Sequence, residues 1–230
     1  MKKNYTKIIV LLDRSGSMAT IENDMIGGYN QFISEQKKIS VGTCDVSFYQ
    51  FNTQYEVIYE NTPIEFVKTL DHSNFRPSGG TSLLDAMGKT INRVGEQLSS
   101  LAEHDRPDKV VFIIITDGEE NSSITFNFEM IKSMVTKQSE VYNWQFTYLG
   151  ANQNAWNVGS KMGIISGASL SFAPNSRGIT EGISSLNATL SSYRRDDTAR
   201  SMQQYCSSDL AAQVVAGLDP KYIDPILTKK

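Results

Sequence analysis

Two cysteines and two histidines in 230 residues leave little room for thiol or imidazole chemistry. Cys44 and Cys206 are too few for a disulfide framework and fit a reducing compartment. His72 falls in a loop and His104 at the polar end of a long helix, so both are expected to be solvated. An excess of one charge is missing too. Charged residues make up 20% of the chain and the formal net charge is -3, which argues against a nucleic-acid footprint or a polybasic membrane surface. No apolar run approaches the ~20 residues of a membrane span. Lys2 and Lys3 do precede an aliphatic run, but it stops at Asp13, too short for a signal peptide, and no small-residue cleavage site follows. Without that signal, the glycosylation patterns at Asn4, Asn121 and Asn187 carry no weight. These absences lead to the expectation of a cytoplasmic, soluble protein with one substantial core.

What is present alternates. Ile8 to Leu12 is apolar without a break, as in a strand buried on both faces of a parallel sheet. Ile21, Met25, Tyr29, Phe32 and Gln36 follow at helical spacing. "CDVSFYQFN" and "YEVIYE", separated by a tight polar turn, predict a hairpin. Pro63 is expected to open a short helix over "IEFVKTL". Leu84, Met87, Ile91, Val94, Leu98 and Leu101 mark a long amphipathic helix. "DKVVFIIIT" repeats the opening strand and runs into Asp117; a helix near 128–137 and the strand "WQFTYLGA" come next. The spacing then predicts a helix over "NAWNVGSKMG", a short strand over "ASLSFA" and a closing helix that ends near Arg195. The pattern predicts an α/β fold, a doubly wound, Rossmann-like and mostly parallel sheet with one antiparallel edge strand. The domain is expected to span residues 1–195, with 196–230 as a tail packed on it or held for a partner. Cys44, Trp144 and Trp156 are expected to be buried, and Arg194 to Asp197 to form a helix end with a solvated flank.

In such sheets ligands gather beyond the carboxyl ends of the strands. Three loops place oxygens there: "DRSGS" after the first strand, "GGTS" before the long helix, and "TDGEEN" after the fourth strand. Asp13, Ser15 and Ser17 alternate, so an extended segment turns them to one side. With Thr81 and Asp117 they make a hard-oxygen set suited to magnesium, with manganese or calcium as competitors, and unsuited to zinc or copper. Asp13 and Asp117 taken singly could merely cap helices. Glu119, Glu120 and Asn121 are expected to rim the site or to form a solvated acidic loop, and the Arg14 side chain to point outward.

"DRSGS", "GGTSL" and "TDG" in this order resemble the metal-ion-dependent adhesion site of von Willebrand factor type A domains. The resemblance covers roughly Thr6 to Arg195. It implies that Asp13, Ser15, Ser17, Thr81 and Asp117 hold a divalent ion, and that a carboxylate of a partner protein fills its open position. It implies a binding module, not an enzyme, of the intracellular bacterial or phage kind, some of whose relatives work with ATPase partners. It also suggests that the last helix, through Leu186 and Leu190, moves on ligation. A magnesium-dependent phosphotransferase or hydrolase of the haloacid dehalogenase type, with Asp13 as nucleophile, is the alternative. That chemistry needs a second carboxylate two residues on, where this chain has Ser15. The P-loop pattern and the GxSxG elbow are both absent.

Overall fold

The aliphatic run of the first strand is divided between two cores. Ile8, Val10 and Leu12 enter one, while Ile9 and Leu11 enter the other. Alternate residues of a strand point to opposite faces, so a run apolar at every position needs cover on both sides. The "VVFIII" run is shared in the same way, with Val111, Ile113 and Ile115 on one side and Val110, Phe112 and Ile114 on the other.

The computed structural model describes residues 1–151 and 154–196. The elements are β1 (Lys2–Asp13), α1 (Glu22–Lys37), β2 (Thr43–Phe51), β3 (Tyr55–Pro63), α2 (Leu83–Ser100) and β4 (Pro107–Thr116), followed by α3 (Phe128–Tyr142), β5 (Gln145–Ala151), α4 (Ala155–Lys161), β6 (Ser169–Phe172) and α5 (Ser176–Arg195). The sheet has six strands in the order β3-β2-β1-β4-β5-β6. All neighbours are parallel except the hairpin pair β2–β3. Residues of α1 and α5 join one core, and residues of α2 and α3 the other. Strand order reverses between β1 and β4, so a crevice opens where their following loops diverge. The expected tail, with Cys206 and Asp197, lies outside the described residues save for Asp196.

Three expectations need correction. The helix over "IEFVKTL" is a single turn, Ile64–Phe66. Val67 then turns extended, and the Asn30 side chain, which accepts from Leu70 N and donates to Leu70 O, replaces the helical bonds. Ile64, Val67 and Leu70 still reach the core, so their spacing of three imitates a helix. Trp156 is half-buried, whereas Trp144 is buried as expected.

Arg194 departs most from expectation. It is 2% exposed, and its Nη1 donates to Gln36 O at 2.8 Å and to Gln36 Oε1 at 3.1 Å. The Gln36 amide nitrogen in turn donates to Asn187 Oδ1 at 3.0 Å. The guanidinium thus adds a side-chain donor to a backbone carbonyl in the last turn of α1 that otherwise accepts only from the amides just past the helix end. This joins the end of α1 to the end of α5. Arg195 is exposed, so the solvated flank begins one residue later.

Arg194→Ala should lower stability by about 2–3 kcal/mol in denaturant unfolding, because it empties a buried site and takes the guanidinium donor from Gln36 Oε1. Arg195→Ala should stay within about 0.5 kcal/mol of wild type.

Candidate metal centre

The parallel register of β1 and β4 sets the centre. Leu12 pairs with Ile115, which brings Asp13 beside Thr116 and Asp117. Thr116 Oγ1 donates to Asp13 Oδ2 at 2.6 Å, and Ser15 N donates to Asp13 Oδ1 at 2.6 Å. Both carboxylate oxygens are therefore held, and Asp13 is fully buried. Ser15 Oγ and Ser17 Oγ lie 3.0 Å apart, and Ser17 Oγ donates to Asp117 Oδ1 at 2.7 Å. The capping alternative fails for Asp13, whose carboxylate serves its own turn and a neighbouring strand.

Thr81 arrives from the loop before α2. Its amide donates to Asn121 Oδ1 at 2.9 Å, and its carbonyl accepts from Asn121 N at 3.0 Å and Ser122 N at 3.2 Å. The "DRSGS" loop is joined to the same segment through Gly16 N, which donates to Gly79 O at 2.9 Å. All five expected residues then surround one small space next to Gly118 or bond directly to those that do. A Cβ placed on Gly118 would lie 2.6 Å from Thr81 Oγ1, 3.3 Å from Ser17 Oγ and 3.4 Å from Asp13 Oδ2. Ser15 and Asp117 join the group through Ser17. Oxygens of three loops thus converge where the absence of a side chain leaves room.

The charge of this cradle is uncompensated. Among the described residues, neither Asp13 nor Asp117 has a Lys, Arg or His within ion-pair distance. Arg14, next in sequence, turns to Glu56 at 3.0 Å and is mostly covered, which corrects the expectation of an outward side chain. Burial pushes the Asp13 carboxyl up to about 6 against the pull of the Thr116 and Ser15 hydrogen bonds, and the neighbouring Asp117 charge adds to the rise. Burial also raises Asp117. No group of three or more His, Cys, Asp or Glu is placed to hold a metal among the described residues, so any ion here would depend on the hydroxyls.

Several supporting residues were hidden in the sequence. Thr116 ends the β4 strand and also orients Asp13. Glu120, expected at the rim, caps the start of α2. It accepts from Leu84 N at 2.9 Å, and from Ser122 N and Ser123 N at 2.9 and 2.7 Å. Asp85, read only as part of a helix, accepts from Ile124, Thr125 and Phe126 amides at 3.2, 2.9 and 2.8 Å. Against the desolvation of its burial, those amides hold its carboxyl below the usual carboxylate range. Glu120 reaches across to the Leu84 amide and Asp85 to the amides of 124–126, so neither role shows in its own segment. His72 is exposed and meets Glu22 Oε1 at 2.8 Å, and His104 is exposed as expected; neither approaches the cradle.

A family model for the von Willebrand factor type A domain matches residues 7–162. The chain belongs to that family. Among solved structures, this domain resembles VWA2, the ArnB paralog of Sulfolobus acidocaldarius, at 15% identity and a TM-score of 0.51, over 80% of this chain and 44% of the other. It resembles proximal thread matrix protein 1 of the mussel byssus, in a form with a zinc-occupied MIDAS motif, at 11% identity and a TM-score of 0.54, over 81% and 46%. The domain of the type V pili tip protein Mfa5 from Porphyromonas gingivalis matches at 8% identity and a TM-score of 0.58, over 83% and 96%. At these identities the likeness is one of fold. The chain spans less than half the length of the first two. No curated protein sequence matches it significantly. Neither the family nor the residue at Ser15 supports the haloacid dehalogenase alternative. Among the described residues, no helix is long and apolar enough to cross a membrane.

Asp85→Ala should free the amides of Ile124, Thr125 and Phe126. Their hydrogen exchange should rise at least about tenfold, while the amides of β4 change little. Equal exchange in the variant would mean that the loop holds its shape by other means.

Proposed function

We propose that this type A domain is a divalent-metal-dependent protein-binding module. Asp13, Ser15, Ser17, Thr81 and Asp117 would hold the ion, and a carboxylate of a partner protein would complete its coordination. The observation that carries the reading is the convergence of hydroxyls and two unpaired carboxylates on the space beside Gly118. Neutral hydroxyls leave a divalent ion under-compensated, and such an ion then attracts an external carboxylate strongly. The chain's own part is positioning. Thr116 and the Ser15 amide fix the Asp13 carboxylate, Asn121 fixes the Thr81 backbone, and Ser17 links the first loop to Asp117.

Oxygen donors alone favour magnesium, with manganese or calcium as competitors. The zinc-occupied motif of the mussel protein supports a divalent ion at such a centre and adds zinc to the cations worth testing. The role is binding without catalysis. The Asp13 carboxylate is buried and doubly hydrogen-bonded, which suits a ligand orienter better than an exposed nucleophile. A cytoplasmic bacterial or phage setting belongs to the same proposal, and the buried, unpaired Cys44 thiol fits it. An ATPase among the partners rests on family analogy alone. We also retain 1–195 as the domain, since α5 is stitched to α1 up to Arg194.

Calorimetric titration of magnesium, manganese and zinc into the metal-free protein tests the centre. Wild type should bind with one site. Thr81→Ala, Asp117→Ala and Gly118→Ala should each weaken binding at least about tenfold, with circular dichroism unchanged. Gly118→Ala is the sharpest of the three, because its methyl enters the cradle and removes no donor. Binding that survives all three would sink the assignment.

A further inference from the structure

The layer made by α2 and α3 is closed at one end and open at the other. Near the candidate centre the fit is tight, since a Cβ on Gly88 would lie 2.5 Å from the Phe126 ring. About two turns further along α2 there is room: a Cβ on Gly95 would meet nothing nearer than Gln138 Nε2 at 3.8 Å. A groove of about 540 Å3 opens there between the last turns of the two helices, lined in part by Ile91, Val110 and Trp144. Met1, Val141 and Tyr142 also line it, and each is more than half exposed. Large apolar side chains gathered at an apolar groove mark a surface that another segment covers.

The last described residue, Asp196, is held at the same edge of the sheet. Lys109 Nζ donates to Asp196 O at 2.5 Å and to Arg194 O at 3.2 Å, which ties the end of α5 to the start of β4. Lys109 lies over the Tyr193 ring on the α5 side, while Val110 faces the α2 and α3 side and lines the groove. The anchor of Asp196 and the groove wall are thus adjacent residues of one strand. Beyond Asp196 the chain continues through residues outside the described ones, and one stretch has the pattern of an apolar helix face. Leu210, Val214 and Leu218 step by four, with Ala211 and Val215 beside them. Ser208 and Asp209 precede the stretch as cap residues, and Pro220 follows it as a stop. The 13 residues from Asp197 to Asp209 reach ~40 Å when extended, against two layer spacings of ~10 Å each from one face to the other.

We propose that residues 209–218 dock in this groove as an amphipathic helix, with the face of Leu210, Val214 and Leu218 turned to it. The occupant is the chain's own segment because tethering presents it at ~mM effective concentration, far above a second copy at micromolar level. The segment completes the layer that α2 and α3 leave open. The groove lies at the amino edge of the sheet and the candidate centre at the carboxyl edge, so the inference is independent of the metal-dependent reading.

Hydroxyl-radical labelling of the full chain tests this, read at Tyr142 and Met1 in the groove against Phe66 and Met130, which are exposed elsewhere. In wild type Tyr142 and Met1 should label slowly, and to the same extent at every protein concentration. Val214→Asp combined with Leu218→Asp should raise their labelling at least about threefold and leave Phe66 and Met130 unchanged. Ala216→Lys, opposite the apolar face at helical spacing, should behave as wild type. Val141→Asp, a change at an exposed position of the groove, should raise the labelling of Met1 without touching the segment. Equal labelling in wild type and all variants overturns the proposal, as does a rise in Ala216→Lys as large as in the double variant. Protection that grows with protein concentration overturns it too, and assigns the groove to a second copy.

Discussion

The parallel pairing of β1 with β4 is the constraint from which the candidate centre follows. Because Leu12 stands opposite Ile115, the two strands end side by side, with Asp13 against Thr116 and Asp117 one residue beyond. A slip of one residue would turn Asp13 toward the other face of the sheet and exchange the memberships of both cores. The slip is opposed by packing, since each residue of the two runs is fitted to a helix layer on its own side and an exchange would put side chains of the wrong size into both cores. Hydrophobic burial fixes the register, and the register places the carboxylates. The same pairing lies where strand order reverses, so the loops from β1 and β4 part and leave the crevice open.

Around that edge the structure keeps its loops in place with polar groups that touch nothing outside the chain. Glu120 and Asp85 direct their charge at backbone amides, Arg14 pairs with Glu56, and the neutral Asn121 side chain accepts from the Thr81 amide. The charges nearest the cradle are thereby engaged elsewhere, and Asp13 and Asp117 face each other without a cation. Burial lifts the Asp13 carboxyl to about 6, and the Asp117 charge adds to the rise. Most surface charge in such a domain is neutral in its effect on stability. This pair is set apart by burial and by the absence of a counter-charge.

Much of this was legible in the sequence because it follows from periodicity. Unbroken aliphatic runs gave β1 and β4, steps of three and four gave α1 and α2, and the two alternating segments gave the edge hairpin. The five oxygen residues were legible because strand-to-loop junctions mark the ligand edge of a parallel sheet. Failures arose where two causes leave the same trace. Ile64, Val67 and Leu70 are spaced as in a helix, yet that spacing serves an extended segment pinned by Asn30, a contact 40 residues away in the chain. Arg194 beside three charged neighbours reads as a solvated end, and only its 158-residue link to Gln36 shows it buried. Thr116 acts on the Asp13 carboxylate, Glu120 on the Leu84 amide and Asp85 on the amides of 124–126, all far away in the chain, and composition records no such partners.

The residues that hold the loops and the residues that face the candidate centre are different ones. The groups that hold the loops are saturated: Asp85 takes three amides, and Glu120 takes three amides and the Ser123 hydroxyl. The groups that face the cradle are joined to one another through Ser15, Ser17 and Thr116 and to no cationic side chain. Had Arg14 turned inward to Asp13, the carboxylate would have been satisfied and the centre closed. Its diversion to Glu56 on the edge strand keeps the negative charge unspent. The edge hairpin therefore does more than extend the sheet, because it removes the one arginine that the sequence places beside Asp13.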